Sequence, residues 1–296
     1  MSEASLDSLR QEIDRIDDAI HDLLMARTEV VEQLAARAFK GNGVALRPGR
    51  EAKVLRRLVR RHRGKFPRGV LLRIWREMFG AMNRLQANFD IGVFVDEQHR
   101  DSIKLARDHF GSFSDIRTYG SVGGVMKGVR EGDISIGVVP LPQRDEVDPW
   151  WRTLSAEGAR KVRIVGRLPF GRRERGDDPD LEALVVAQLE PDETGEDRSY
   201  VMFEPGEGIS RDRIATLFRG AGLEPAFIAT GIDSTDFDRR LHLVEVEGHI
   251  VPGDPRLDAA RRTAGDAIGV ITIIGGYAVP FTAEEVADPP PAGHAR

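Results

Sequence analysis

Leu6, Leu9, Ile13, Ile16, Ile20, Leu23, Leu24, Val30, Val31 and Leu34 recur at steps of three and four residues. This spacing predicts one amphipathic helix from residue 7 to about 39, stopped by Gly41-Asn42-Gly43. A helix of some 33 residues spans roughly 50 Å, more than a compact domain of under ninety residues can cover. Its apolar stripe therefore asks for a second chain.

Arginines are set into this stripe, and a cation on a buried face needs an anionic partner. Arg10 and Arg27 lie seventeen residues apart, about 25 Å along the axis, so one small ligand cannot touch both within a single chain. An antiparallel dimer brings Arg10 of one chain beside Arg27 of the other. Alternatively, Arg27 pairs at the surface with Asp22 or Glu29.

Two further helices are predicted. One starts near Pro48, a residue suited to a first turn, and runs to His62 before Gly64-Lys65-Phe66-Pro67 breaks the pattern. The other runs from about Val70 to Gln86 with Leu71, Ile74, Trp75, Met78, Met82 and Leu85 as its stripe.

Charge divides the chain. Residues 1–86 hold 18 Lys+Arg against 11 Asp+Glu, about +7, which leaves 25 against 37, about −12, for the rest of the net −5. The basic part lacks interleaved aromatics and any recognisable nucleic-acid module, so no nucleic-acid partner is expected. No run of eighteen apolar residues occurs and the first residues are not those of a signal peptide, so no membrane partner and a cytoplasmic location are expected. Zero cysteines agrees with that compartment and rules out disulfides and thiol nucleophiles. His99 and His109 do not have a zinc spacing, and Gly120-Ser121-Val122-Gly123-Gly124 matches neither the P-loop nor the dinucleotide pattern. No metal and no cofactor are expected.

Leu9-Arg10, Leu24-Met25-Ala26-Arg27, Arg50-Glu51 and Gln86, at these separations, resemble the AroQ-type all-helical chorismate mutases in the form fused to prephenate dehydratase. The resemblance implies an intertwined homodimer with shared sites that rearranges chorismate to prephenate. In it Arg27 and the partner's Arg10 clamp the two carboxylates, Arg50 sits by the substrate, Glu51 accepts from the ring hydroxyl and Gln86 donates to the ether oxygen. The family's lysine, about eleven residues after the mid-helix arginine, falls on Ala38 in an ungapped count. Lys40, with Arg37 as the alternative, is expected to replace it. Arg47 stands where the family often has an acid, and Met82 where it has a polar residue. A pericyclic step needs a held conformer and charge stabilisation rather than a nucleophile, which suits a site built from arginines.

From Asn88 the composition shifts toward strands and glycine. Strands at Ile91–Val95 and Ile134–Leu141 with helices at Arg100–Phe110 and Val122–Glu131 resemble the first lobe of prephenate dehydratase. The family's dehydratase residues do not match, since Pro142-Gln143-Arg144 replaces Glu-Asn-Ser and His99-Arg100-Asp101-Ser102 keeps only the last serine of its turn. The final segment, Tyr200 to Gly275, reads as βαββαβ, a ferredoxin-like unit resembling the ACT domain, without that domain's effector signature near Gly231-Ile232-Asp233.

The expected architecture is multidomain: an all-α three-helix chorismate mutase domain (1–87) and an α/β region ending in the ACT-like unit. That region divides into a truncated dehydratase-like part (88–197) and the ACT-like domain (198–281), followed by a disordered tail (282–296). The expected function is chorismate mutase with a non-catalytic C-terminal module and an aromatic amino acid as candidate effector. The alternatives are a bifunctional mutase/dehydratase and a non-catalytic regulatory binding protein of the aromatic pathway.

Overall fold

The computed structural model describes residues 5–38, 45–155, 161–171, 181–206 and 209–287. The first helix, α1 (Leu6–Ala38), opens where the Ser5 hydroxyl accepts from the Ser8 amide at 3.1 Å, which satisfies one of the free first-turn donors. Residues 6–26 are all exposed. The stripe residues Leu6, Leu9, Ile13, Ile16, Ile20 and Leu23 keep 44–73% of their surface, so one chain does not bury them.

The helices α2 (Pro48–Arg61) and α3 (Arg68–Gln86) follow. α2 has Pro48 in its first turn and buries Gly49, Glu51, Ala52, Leu55 and Arg56, a single helical face. α3 corrects part of the expected stripe: Met82 is buried as expected, but its buried companions are Leu72, Arg76, Phe79 and Asn83, whereas Ile74 and Leu85 are 47% and 57% exposed. The reason is that α3 packs on the α/β region rather than only on its helical neighbours. α1 meets α3 at Arg27 and Thr28, whose hydroxyl lies 3.8 Å from the Met82 sulfur.

The α/β region comprises β1 (Ile91–Phe94), α4 (Ser102–Phe110), β2 (Ile116–Tyr119), α5 (Val122–Glu131), β3 (Ile136–Pro140) and β4 (Asp145–Val147). After a 3-10 turn at Trp150–Ser155 come β5 (Arg163–Leu168), β6 (Ala183–Ala187) and β7 (Asp197–Phe203). The chain then forms α6 (Arg211–Gly220), β8 (Pro225–Asp233), β9 (Asp236–Glu247), α7 (Pro255–Ala264), β10 (Thr272–Ala278) and α8 (Ala283–Val286).

The ten strands among the described residues form one sheet, in the order β2-β1-β3-β6-β5-β10-β7-β9-β8-β4. β2, β1 and β3 are parallel. β7 to β10 form the ferredoxin-like βαββαβ unit, every neighbour pair antiparallel. The two parts join where Gly275 pairs in parallel with Ile164. Gly275 has φ +132°, and a Cβ there would lie 2.2 Å from the Ile164 carbonyl oxygen, so only glycine fits this junction. β2, β4 and β5 were not foreseen from the sequence. β5 carries Arg163, Gly166 and Arg167 and so breaks the apolar run of a buried strand.

The helical domain is locked onto this sheet. Arg56, 5% exposed, donates to Thr194 Oγ1 at 2.8 Å and to the Glu196 and Val279 carbonyls at 2.9 Å each. A Cβ on Gly80 would sit 1.9 Å from the Phe110 carbonyl oxygen, so α3 and α4 touch through backbone. Of the segment expected to be a disordered tail (282–296), the first residues are folded. Thr282 and Glu285 form a capping box on α8, and Val286 packs with Leu72, Phe170 and Phe281 because that apolar pocket is open to it. Residues 288–296 lie outside the described residues.

Candidate active site

Glu51, in the first turn of α2, is the centre of a buried polar cluster. Arg76 Nη1 donates to Glu51 Oε2 at 2.8 Å and Asn83 Nδ2 donates to Oε1 at 3.2 Å, so α3 holds both carboxylate oxygens. Burial opposes charge on both ends of the ion pair. It raises the Glu51 pKa against the pull of Arg76, Asn83 and Arg27, and lowers Arg76 to about 10 against the pull of Glu51, which leaves the guanidinium charged at neutral pH.

Arg27 stands beside this cluster, and among the described residues no anion pairs with it and its buried Nη1 has no hydrogen-bond partner; its guanidinium lies 5.9 Å from the Phe79 ring centroid. Among the described residues it forms no ion pair with Asp22 or Glu29. Burial lowers its pKa, Arg50 lowers it further by like charge, and Glu51 partly opposes both. A buried donor left unmatched costs about 1–3 kcal/mol, and more when charged. An anion placed between Arg27 and exposed Arg50 would remove that penalty.

The remaining predicted residues are placed as follows. Gln86 closes α3 with its Nε2 donating to the Met82 carbonyl at 3.0 Å, one turn from the Thr28–Met82 contact. Arg10 lies on the exposed half of α1 and pairs with Asp7 at 3.1 Å, away from Arg27 within the same chain. Lys40 lies outside the described residues, and Arg37 is exposed in the last turn of α1. Arg27, Arg50 and Glu51 are thus brought together, and Arg10 is not.

Sequence reasoning missed Arg76 and Asn83. Their signal was available, since Leu72, Arg76, Phe79 and Asn83 recur at core spacing and two of the four are polar.

Residues 9–87 match the family model of chorismate mutase type II. Residues 9–87 carry a chorismate mutase domain. The chain is also 27% identical over 152 residues to a bifunctional chorismate mutase/prephenate dehydratase of Stutzerimonas stutzeri, covering 49% of this chain and 41% of that one. Its counterpart in Aquifex aeolicus is 26% identical over 140 residues, 46% of this chain and 38% of that one. Both alignments are longer than the mutase segment, so the distant similarity continues into the α/β region. The chain spans less than half the length of these curated relatives. The solved prephenate dehydratase from Streptococcus mutans aligns with a TM-score of 0.46 at 14% identity, covering 65% of this chain and 99% of that one.

On the dehydratase-like side, Ser102 is buried at the start of α4. The Arg144 carbonyl accepts from the Thr230 amide at 2.8 Å, which ties the 142–144 segment to β8. Asp233 pairs with Arg152 at 2.8 Å and accepts from Thr235, bonds that hold its carboxyl down at about 2. Among the described residues no group of side chains could hold a metal ion, and no helix is long and apolar enough to cross a membrane.

Proposed function

We propose that this chain rearranges chorismate to prephenate at sites shared between two copies. The observation that carries the reading is the unmatched buried Nη1 of Arg27 beside Arg50 and Glu51, inside the segment matched to chorismate mutase. Chorismate is a dicarboxylate, and a planar guanidinium grips a carboxylate through two parallel hydrogen bonds. Arg27 takes one carboxylate and Arg10 of the partner subunit the other, while Arg50 adds positive charge beside them. Glu51 keeps lone pairs beyond those used by Arg76 and Asn83, and these accept from the ring hydroxyl. Gln86 has a second amide hydrogen free for the ether oxygen, and Lys40 supplies charge there. The catalysis consists of holding the compact conformer and stabilising developing charge, with no covalent step.

The exposed stripe of α1 supports the pairing of two copies, because burying it stabilises by about 25 cal/mol per Å². The α/β region then acts in regulation, assembly or stability rather than in dehydration, with an aromatic amino acid as its candidate effector. Incubation with chorismate at neutral pH, with prephenate and phenylpyruvate measured separately, tests this. Prephenate above the uncatalysed rate, without enzyme-dependent phenylpyruvate, is expected. No prephenate would leave a non-catalytic binding protein, and phenylpyruvate would restore the bifunctional alternative seen in the relatives' names. Titrating phenylalanine or tyrosine against the mutase rate tests the effector.

A further inference from the structure

We propose that the cavity between α3, α4 and residues 169–171 after β5 binds a small carboxylate with an apolar body, and that its occupancy reaches the mutase site through Arg76. The cavity has a volume of about 320 Å³ and lies where the helical domain meets the α/β region. That size suits a ligand of about ten heavy atoms, at the small end of natural ligand sites. Leu72, Leu105, Phe170 and Val286 make its walls apolar.

Arg76 gives it a built polar end. The residue is 7% exposed, its guanidinium lies 5.0 Å from the Phe170 ring centroid, and its Nη1 is spent on Glu51. Among the described residues its Nε and Nη2 have no hydrogen-bond partner. These two nitrogens form the side-on edge of the guanidinium, which matches the two oxygens of a carboxylate. The His109 ring also lines the cavity and makes no hydrogen bond among the described residues.

The lining favours an anion. Among the described residues that line the cavity, Arg73, Arg76 and Lys104 stand with one carboxylate, Asp108, which pairs with Arg73 at 2.6 Å; Arg73 also pairs with Glu77 at 3.5 Å and Arg76 with Glu51, while Lys104, exposed at the rim, has no ion pair among the described residues. A carboxylate on the free edge of Arg76 would share that guanidinium with Glu51. This rests on the mutase reading for its consequence: an added negative charge at the edge of the site disfavours a dianionic substrate.

Isothermal titration of the full chain with phenylacetate, and with uncharged phenylacetamide, tests the site directly. Saturable binding of phenylacetate alone is expected, weakened at least tenfold by Lys104→Glu and lost in Val70→Trp, which fills the rim from a half-exposed position. Phenylacetate should raise the KM for chorismate about fivefold or more, with kcat little changed, and Val70→Trp should remove the effect. Absent binding, or equal binding by Val70→Trp, overturns the site. A KM rise that persists in Val70→Trp indicates competition at the mutase site and overturns the coupling. If the protein binds phenylacetate with this variant pattern but makes no prephenate, the mutase reading fails and the cavity site stands; the coupling is then read from the Kd for chorismate in the same titration.

Discussion

The Arg76–Glu51 pair shows how a buried ion pair can be indispensable without being a source of stability. Both groups are more than nine-tenths buried, and their 2.8 Å contact mainly offsets the desolvation of the two charges. Arg76→Met strands Glu51 and should lower unfolding free energy in urea by about 3–5 kcal/mol. Adding Glu51→Gln to it should recover a large part of that loss, although it removes the acceptor proposed for substrate. His109 gives a second residue-scale expectation. Burial, with Arg76 nearby, holds its pKa well below the ordinary value, so the folded state binds fewer protons than the unfolded one. Its contribution is fully present above about pH 6.5 and is lost as pH falls below it. Tm measured from pH 7.5 to 5 should therefore fall less steeply in His109→Asn than in the native chain.

At the scale of elements, α1 was legible in the sequence almost to the residue: expected over 7–39, it spans Leu6–Ala38. The reason is that a long 3.6-residue period needs no tertiary information to be recognised. α3 was legible in extent but not in orientation, because which of its faces is buried depends on the sheet it packs against. The βαββαβ unit was legible because its strands and helices alternate with clear turns, whereas the short strands β2 and β4 and the arginine-bearing β5 carry too little periodic signal. The proposed role of α1 can be tested by complementation. Arg10→Ala and Arg27→Ala should each lower kcat/KM at least a hundredfold with helical content unchanged by circular dichroism. Refolding the two variants together should restore about a quarter of native activity, because heterodimers contain one intact site in two. Failure to recover any activity while each variant remains dimeric would exclude shared sites.

For the whole molecule, the decisive feature is continuity. One sheet runs from the parallel strands β2-β1-β3 through the Gly275–Ile164 junction into the ferredoxin-like unit, and Arg56 ties α2 to the paired start of β7 and end of β10. Gly275→Ala should be among the more damaging single-methyl additions in the chain, lowering stability by about 2 kcal/mol or more, because the added carbon meets backbone that cannot yield. Thermal unfolding of that variant followed by both far-ultraviolet dichroism and tryptophan fluorescence should lose its single coincident transition, since α4, on which α3 packs, lies against the β1–β5 side of the junction while β7–β9 and the Arg56 anchor of α2 lie on the other.

Periodicity and charge alone determined the three helices, the basic-to-acidic change near residue 87 and the arginines that need an anion, because each is a property of residues close in sequence. Only the tertiary structure decided that Glu51 is held by Arg76 and Asn83, that Arg27 is left with a buried unmatched donor, and that the cavity behind Arg76 exists. Those depend on which faces of α2, α3 and α4 meet, and the close backbone approach of Gly80 to Phe110 that allows α3 and α4 to meet joins residues thirty apart in the chain.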